Sequence, residues 1–288
     1  MAMLTSQHPT PVDVRHCSAP HASELAPRAF DRCIALPSRV AKPRNQGLTS
    51  VLDKGMSELY MQDYLEDAAP YIDLVEFGWG TSRLFSAERL RTKIETLRDY
   101  DIRVSPGGTL TELAVVQHCV PDFFRDVVDF GFAGVEVAEG AIEMPLTDKL
   151  CLIRMARQMG LEVVSTMRES TPAERQNVQL NRRISQALAE LEAGAWKVRV
   201  KRSDGNLAGV EIGDHTTQES DVDALVQAIG LEHLIFAAPQ KSQQIKLCKQ
   251  YGNQVNLGHI APENVIPVET FRIGLHEDTL RVFHEIVG

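Results

Sequence analysis

The sequence lacks several features by which whole classes of protein are recognised. No apolar run approaches the roughly 20 residues that a membrane-spanning helix needs, and the first residues contain no continuous apolar segment of a secretory signal. The five cysteines are odd in number and scattered, without the spacing of a zinc site or a disulfide framework. The net charge of -9 argues against a nucleic-acid-binding surface, which needs a basic face. We therefore expect a soluble cytoplasmic protein that binds neither membranes nor nucleic acids.

The chain divides into an aperiodic beginning and a regular remainder. Residues 1–38 are rich in Pro, His, Ser and Ala, and we interpret them as an extension that is flexible or draped over the rest. In residues 39–288, eight short apolar runs alternate with amphipathic stretches, as in parallel strands that are covered on both faces. This pattern predicts a single α/β domain, a (β/α)8 TIM barrel. An open doubly wound sheet is the alternative, but the even spacing and the lack of a Gly-rich dinucleotide loop favour closure.

The ends of the predicted strands are the candidate site, because barrel enzymes carry their chemistry where strands end and loops begin. The first strand ends in Asp53 and Lys54, which could hold a divalent metal ion, act as acid and base, or form an ordinary ion pair. Just before this strand, Lys42 and Arg44 add positive charge, and we include them among the candidate phosphate-binding residues.

Two glycine-containing loops are predicted to bind an anion through backbone amides. After the second strand, the segment FGWGTS places Gly78 where a ligand can approach the backbone, and Thr81 and Ser82 add hydroxyl donors. After the third strand, Gly108 and Thr109 lie in a similar loop. The first loop could instead be a tight turn in which Ser82 or Ser86 caps the next helix, and the second could be a plain Gly-Gly turn.

Two further positions suggest charge-based chemistry. Glu136 lies within the fourth strand, where a carboxylate is costly unless it is paired or bound to metal. Near the eighth strand, Arg272 is predicted to clamp a phosphate with help from Asn256 and the Gly258 amide, since such barrels bind phosphate after strands seven and eight. A structural arginine at the end of the barrel is the alternative. His259 could be a ligand, although a single histidine more often is not.

The ordered motifs KPRxxGLTxVLDKG, FGWGTS, PGGT, VNLG and ETFRIGLHEDT together resemble the phosphosulfolactate synthase family, from about Lys42 to Thr279. The resemblance implies a homo-oligomeric barrel enzyme that adds sulfite to phosphoenolpyruvate with Mg²⁺, on the way to coenzyme M. It further implies that the metal bridges the substrate carboxylate and the developing enolate, while cations hold phosphate and sulfite and a lysine protonates the methine carbon. Charge neutralisation should dominate, because an anion adds to an anionic alkene.

The chain departs from the family pattern at the strand ends. Glu76 stands where the family typically has a lysine, while three carboxylates at strands five to seven and the strand-five lysine pair are absent. We therefore predict a divergent member with an altered site. The predicted Mg²⁺ ligands are Asp53, Glu136 and Glu76. The predicted catalytic residues are Lys54, Glu136, Lys201 and Arg202.

The stretch AWKVRVKRSDG, residues 195–205, concentrates four cations in and after the sixth strand. Arg202 matches the family arginine, so we expect it to face the barrel mouth as an anion ligand. Strand alternation then places Lys197, Arg199 and Lys201 on the helix side, where they would reach solvent or a neighbouring subunit. A shift of one residue would instead turn Lys201 inward as a relocated acid.

Three functions remain open on this basis. The first is a phosphosulfolactate synthase-like enzyme that joins sulfite or a related nucleophile to phosphoenolpyruvate or a similar phosphorylated C3 acid. The second is an enzyme of the same fold with a changed reaction or substrate. The third is a non-catalytic barrel that only binds a phosphorylated ligand.

Overall fold

A computed structural model describes residues 29–167, 177–201 and 215–284. Most of the predicted extension, residues 1–28, lies outside the described residues. Its boundary with the barrel at residue 38 therefore stays a prediction. Within the described ranges, no helix combines the length and the apolarity that crossing a membrane requires.

Eight parallel strands form the sheet, in the order β3-β2-β1-β8-β7-β6-β5-β4. The strands are β1 Thr49–Asp53, β2 Leu74–Phe77, β3 Arg103–Ser105, β4 Gly134–Val137, β5 Glu162–Thr166, β6 Lys197–Val200, β7 Leu234–Ala237 and β8 Leu257–Ile260. The amide of Ala133, directly before β4, donates to the carbonyl of Val104 in β3 at 3.0 Å, so the first and last strands of this order lie side by side. The predicted eight-stranded TIM barrel is confirmed.

Helices alternate with the strands and surround the sheet. They are α1 Glu58–Ala68, α2 Ala87–Asp99, α3 Gly108–Val116, α4 Val120–Phe130, α5 Leu146–Gln158, α6 Asn177–Glu192, α7 His215–Ile229, α8 Lys241–Tyr251, α9 Val265–Arg272 and α10 Glu277–Phe283. The main core lies between sheet and helices, as α4 illustrates: Val120, Phe124 and Val127 lie on one helical face and are buried. Gly131 ends this helix with a φ of 87°, a left-handed conformation that glycine adopts without strain.

The amino-terminal end of the barrel is closed by buried polar side chains that bind backbone groups. Arg272, at the end of α9, is fully buried and donates to the carbonyls of Leu48 at 3.0 Å and Val255 at 2.5 Å, which precede β1 and β8. Asn256 accepts from the amide of Leu48 at 3.0 Å and donates to the carbonyl of Leu234 at 2.8 Å. The prediction that Arg272 and Asn256 bind phosphate at the mouth is therefore wrong, because the two residues join strands at the opposite end.

Lys42 and Arg44 lie at the same amino-terminal end. Arg44 forms a buried ion pair with Asp73, which precedes β2, with an N–O distance of 2.9 Å. Lys42 donates to the carbonyl of Tyr100, before β3, at 2.8 Å. Their predicted role in phosphate binding is corrected by this placement: residues that precede a parallel strand lie at the end of the sheet that is remote from the carboxyl-terminal mouth.

Candidate functional site

Strand β6 carries the side chain at the centre of the candidate site. Val198 and Val200 pack into the core between sheet and helices, so strand alternation turns Lys197 and Arg199 into the barrel interior. Lys197 donates to the carbonyl of Asn45 at 2.9 Å, near the amino-terminal end. The expectation that these cations face the helices is therefore wrong, because the valines occupy the apolar side of the strand.

Arg199 lies between two buried carboxylates from other strands. Its Nη1 atom is 2.6 Å from Oε2 of Glu76 in β2 and 2.9 Å from Oε1 of Glu136 in β4. The hydroxyl of Thr166, at the end of β5, donates to the same Glu136 oxygen. The expectation that the Glu136 carboxylate needs a partner is confirmed, and the partner is an arginine.

His259 completes the surroundings of Arg199. Its Nε2 atom lies 3.2 Å from Arg199 Nη1. The register between β1 and β8 shifts by one residue at this point, and His259 has a φ of 56°, so a bulge directs the imidazole toward the guanidinium. A Cβ atom on Gly258 would lie 2.8 Å from Ile235 Cγ2 and 3.5 Å from Arg199 Nε. Glycine is therefore required at position 258 by its close contact with Ile235, and its predicted role as an amide donor to phosphate stays a prediction.

The four charged or ionisable groups of this cluster shift one another's pKa values. Burial raises the pKa of Glu76 to about 7, against the opposing effect of Arg199. For Glu136 burial acts in the same direction, but Arg199, His259 and the Thr166 hydroxyl outweigh it and lower the pKa to about 2. Burial and Arg199 lower the pKa of His259 to about 3, so its imidazole is neutral and Nε2 accepts from the guanidinium.

The start of α3 also points at Glu136. Gly107 has a φ of 79°, and the amide of Gly108 donates to Glu136 Oε2 at 3.0 Å. A Cβ atom on Gly108 would lie 2.6 Å from Cβ of Ala138, so only glycine fits there. The predicted anion-binding loop exists, but its described anion is the protein's own carboxylate. Thr109 is exposed in the first turn of α3.

Two lysines lie around the mouth above this cluster. The ammonium of Lys54 stands over the ring of Trp79, 4.4 Å from its centroid. A Cβ atom on Gly140 would lie 3.7 Å from Lys201 Nζ, so Lys201 reaches from the end of β6 toward the loop after β4. Both lysines help to lower the pKa of His259, which means that they share one electrostatic space with it. Lys201 therefore follows the alternative expectation and turns inward.

The FGWGTS loop is shaped mainly by packing. A Cβ atom on Gly78 would lie 2.5 Å from Leu52 Cδ1, and the Thr81 hydroxyl donates to the Gly78 carbonyl at 2.9 Å. The Oγ atom of Ser82 is buried without a hydrogen-bond partner among the described residues. The Thr81 hydroxyl is thus engaged within the turn, and whether Gly78, Thr81 and Ser82 contact substrate stays a prediction.

The residues predicted to bind Mg²⁺ do not form one site. Asp53 accepts from the amides of Gly55 at 2.6 Å and Met56 at 2.7 Å and pairs with Lys93 of α2 at 2.9 Å. These contacts engage the Asp53 carboxylate, whereas Glu76 and Glu136 each direct one oxygen at Arg199. The predicted three-carboxylate set therefore does not fit a divalent cation, and a cationic side chain already lies between two of its members.

Of the residues predicted from the sequence, Glu76, Glu136 and the Gly108 amide lie together in the structure, and Lys54 and Lys201 lie around the mouth above them. Their action on a substrate stays a prediction. Reasoning from the sequence did not assign Arg199 or His259 to the site. The alternation of valine with cations in β6 could have identified Arg199, whereas the bulge that turns His259 leaves no pattern in the sequence. Arg202, predicted as a catalytic anion ligand, lies outside the described residues.

Comparisons with known proteins agree with this architecture. Residues 37–278 match the family model described as (2R)-phospho-3-sulfolactate synthase. The phosphosulfolactate synthase of Methanothermobacter thermautotrophicus is 35% identical over 253 residues, which cover 88% of this chain and 97% of that protein. The phosphosulfolactate synthase of Bacillus subtilis is 34% identical over 251 residues, which cover 86% and 98% of the two chains.

Among solved structures, 3-keto-L-gulonate-6-phosphate decarboxylase from Vibrio cholerae matches with a TM-score of 0.53 and 14% identity, covering 83% of this chain and 100% of that one. Identity this low supports the barrel fold alone. The family model and the two relatives cover almost the entire barrel, including the strand ends on which Glu76, Glu136 and Lys54 lie. The chain belongs to the phosphosulfolactate synthase family.

Proposed function

We propose that the protein is a divergent enzyme of the phosphosulfolactate synthase type. It would add sulfite, or a related nucleophile, to phosphoenolpyruvate or a similar phosphorylated C3 acid. The observation that carries this proposal is family membership over the whole barrel, together with two lysines directed at the mouth beside Arg199. A small phosphorylated acid is the chemistry that such a positive mouth suits.

In the proposed reaction, the sulfur lone pair of sulfite forms a bond to the methylene carbon of phosphoenolpyruvate while the carbon–carbon π bond breaks. The released electron pair then takes up a proton at the carbon that bears the phosphate. The phosphate ester stays intact, so the enzyme is a C–S bond-forming lyase. Two anions must meet, and the cations of the mouth would lower that barrier by neutralising charge.

Individual roles follow from position. Lys54, held over Trp79, would bind the phosphate or the carboxylate of the substrate at the rim. Lys201 reaches across the mouth and would supply the proton, in place of the lysine pair that the family carries after strand five. Arg199, Glu76 and Glu136 would act beneath the substrate by fixing the charge distribution of the barrel interior.

The resemblance also implied Mg²⁺, but Asp53, Glu76 and Glu136 do not form a site for it. In the proposed reaction, phosphoenolpyruvate is therefore held by the cationic side chains of the mouth. Whether a divalent ion changes binding is decided by measuring with and without it.

The test combines binding with turnover. Phosphoenolpyruvate is titrated calorimetrically into the protein with and without Mg²⁺, and sulfite is then added while phosphorus NMR follows the products. We expect a new phosphorus signal with wild-type protein and its loss in Lys201→Met. Lys249→Met, on the exposed face of α8, is the matched control and should retain the signal.

A second candidate function has an observation of its own. Glu76 stands where the family typically has a lysine, and it shares its pairing partner Arg199 with Glu136. This internal pairing favours an altered reaction, or ligand binding without turnover. Binding of phosphoenolpyruvate without any product from sulfite would support the second candidate, and the absence of binding would reject both.

We further propose that the protein is a cytoplasmic homo-oligomer, as the resemblance implies. Large apolar side chains on α1 and on the loop after β2 support an interface: Leu59 is 79% exposed, Trp79 71% and Leu84 84%. Light scattering after gel filtration should give a mass above that of one 32.0 kDa chain. A monomeric mass at micromolar concentration would reject this assembly.

A further inference from the structure

Three atoms of the kind that bind metal ions converge on one nitrogen of Arg199. Glu76 Oε2, Glu136 Oε1 and His259 Nε2 lie 2.6, 2.9 and 3.2 Å from Arg199 Nη1. They come from β2, β4 and β8, so three separate strands direct them at a single point. Two carboxylates and one imidazole are a donor set that suits divalent first-row metals, and here a guanidinium nitrogen stands at its centre.

We propose that the Arg199 guanidinium is a built-in cation that takes the position of a divalent metal ion among Glu76, Glu136 and His259, so that this described part of the barrel mouth binds no such ion. Two observations show that the barrel is built around this side chain. Arg199 is 2% exposed, so the barrel encloses its side chain almost completely. The bulge in β8 turns His259 so that its unprotonated nitrogen accepts from the guanidinium.

The neighbouring described carboxylates at this end are also committed to cations or amides. Asp53 pairs with Lys93 at 2.9 Å, and Glu139 pairs with the fully buried Lys149 at 3.1 Å. A metal ion that entered here would have to displace a buried cation from its carboxylate, and it would meet the positive charge of Arg199 at short range. The positive charge of Arg199 already offsets part of the negative charge of the two carboxylates between which it lies.

The proposal is tested by metal binding without substrate, so its failure is distinct from failure of the proposed function. Chelator-treated full-length protein is titrated with Mn²⁺, and free Mn²⁺ is read by electron paramagnetic resonance. The variants are Arg199→Ala, Arg199→Ala with Glu136→Gln, and Glu136→Gln alone. Because His276, Glu277 and Asp278 form an exposed cluster of possible ligands, each protein also carries His276→Ala.

We expect no Mn²⁺ binding that depends on Glu136 with the native Arg199, and one such Mn²⁺ per chain after Arg199→Ala. Adding Glu136→Gln should weaken that new site by about tenfold or more, because it removes a ligand. The thermal midpoint of the Arg199→Ala protein should rise with Mn²⁺, whereas that of the protein with Arg199 should not change.

Two results would overturn the proposal. One is a Mn²⁺ site in the protein with Arg199 that Glu136→Gln removes, since the guanidinium would then not exclude a metal. The other is folded Arg199→Ala protein that binds no Mn²⁺, since the three donors would then not mark a cation position. If Arg199→Ala does not fold, Arg199→Met takes its place, and the comparison of native Arg199 with Glu136→Gln alone still decides the first point.

Discussion

The two ends of the barrel each bury an arginine, but in opposite chemical surroundings. At the amino-terminal end, Arg272 donates to backbone carbonyls, and burial lowers its pKa to about 10. At the carboxyl-terminal end, burial alone would lower the pKa of Arg199, but Glu136 and Glu76 outweigh it and raise the pKa. One arginine joins strands through neutral partners, and the other is the centre of a charged cluster.

This difference separates stability from function. Carbonyl partners do not titrate, and those of Leu48 and Val255 lie just before two neighbouring strands, so Arg272 serves the fold. The partners of Arg199 include carboxylates with pKa values of about 7 and about 2 and a histidine with a φ of 56°. Backbone strain and displaced pKa values concentrate at functional sites, and both occur beside Arg199.

The largest effect is expected from Arg272→Met. The substitution leaves the carbonyls of Leu48 and Val255 buried without this donor, at a cost of about 1–3 kcal/mol each. The free energy of unfolding should therefore fall by about 3 kcal/mol or more, measured by urea denaturation followed by circular dichroism. Arg281→Met, on the exposed face of α10, is the control and should change stability by less than about 0.5 kcal/mol.

The folded fraction of Arg272→Met should bind phosphoenolpyruvate as the wild type does, because the guanidinium lies at the end remote from the mouth. If the variant has normal stability but no longer binds phosphoenolpyruvate, Arg272 is part of the phosphate site. The two ends of the barrel would then not differ in function as described.

Most of the fold could be predicted from the sequence, because parallel strands covered on both faces need nearly continuous apolar runs. Glu136 could be predicted as well, since a carboxylate in a buried strand requires a partner. The errors at Arg272 and Asn256 came from treating motif residues as strand ends. Asn256 directly precedes β8, so it lies at the amino-terminal end, and the side chain of Arg272 reaches that same end from α9.

The centre of the site was harder to predict for two physical reasons. In β6, alternate residues face the helices and the barrel interior, and the sequence does not say which set faces which way. Val198 and Val200 settle this only if the side that faces the helices is assumed to be the more apolar one. The position of His259 depends on a bulge, which inserts one residue and reverses the alternation. An alternating pattern of apolar and polar residues does not show where such a residue is inserted.

An effect of intermediate size is expected on how stability depends on pH, because of the two carboxylates around Arg199. The folded pKa of Glu76 is raised from 4.5 to about 7, so the folded chain keeps a proton that the unfolded chain has lost between these values. Wild-type stability should therefore fall relative to Glu76→Gln as pH rises from 4.5 to 7, by an amount on the order of 2 kcal/mol. Urea denaturation at a series of pH values measures the difference.

Glu136→Gln should show the opposite slope. The folded pKa of Glu136 is lowered from 4.5 to about 2, so its contribution is fully present above pH 4.5 and is lost as pH falls toward 2. The wild type should thus exceed Glu136→Gln in stability at neutral pH, and the difference should shrink in acid. Equal slopes for the two variants would mean that the carboxylates share their proton differently around Arg199.

The smallest effects on stability are expected from two lysines, one at each end. Lys42 donates to backbone carbonyls, including that of Tyr100 at 2.8 Å, and burial lowers its pKa to about 8, whereas Lys54 is exposed over Trp79. Lys42→Met should therefore reduce the free energy of unfolding by about 1–2 kcal/mol and leave phosphoenolpyruvate affinity unchanged.

Lys54→Met should do the reverse, with a change in stability below about 0.5 kcal/mol, because an exposed cation–π contact contributes little. Phosphoenolpyruvate affinity should fall by about tenfold in calorimetric titration, since a charge-assisted hydrogen bond to the ligand is lost. Lys42→Met is the matched control for Lys54→Met, because it removes the same kind of charge at the other end of the same barrel. An equal loss of affinity in both variants would show that long-range charge, and not the geometry of the mouth, attracts the ligand.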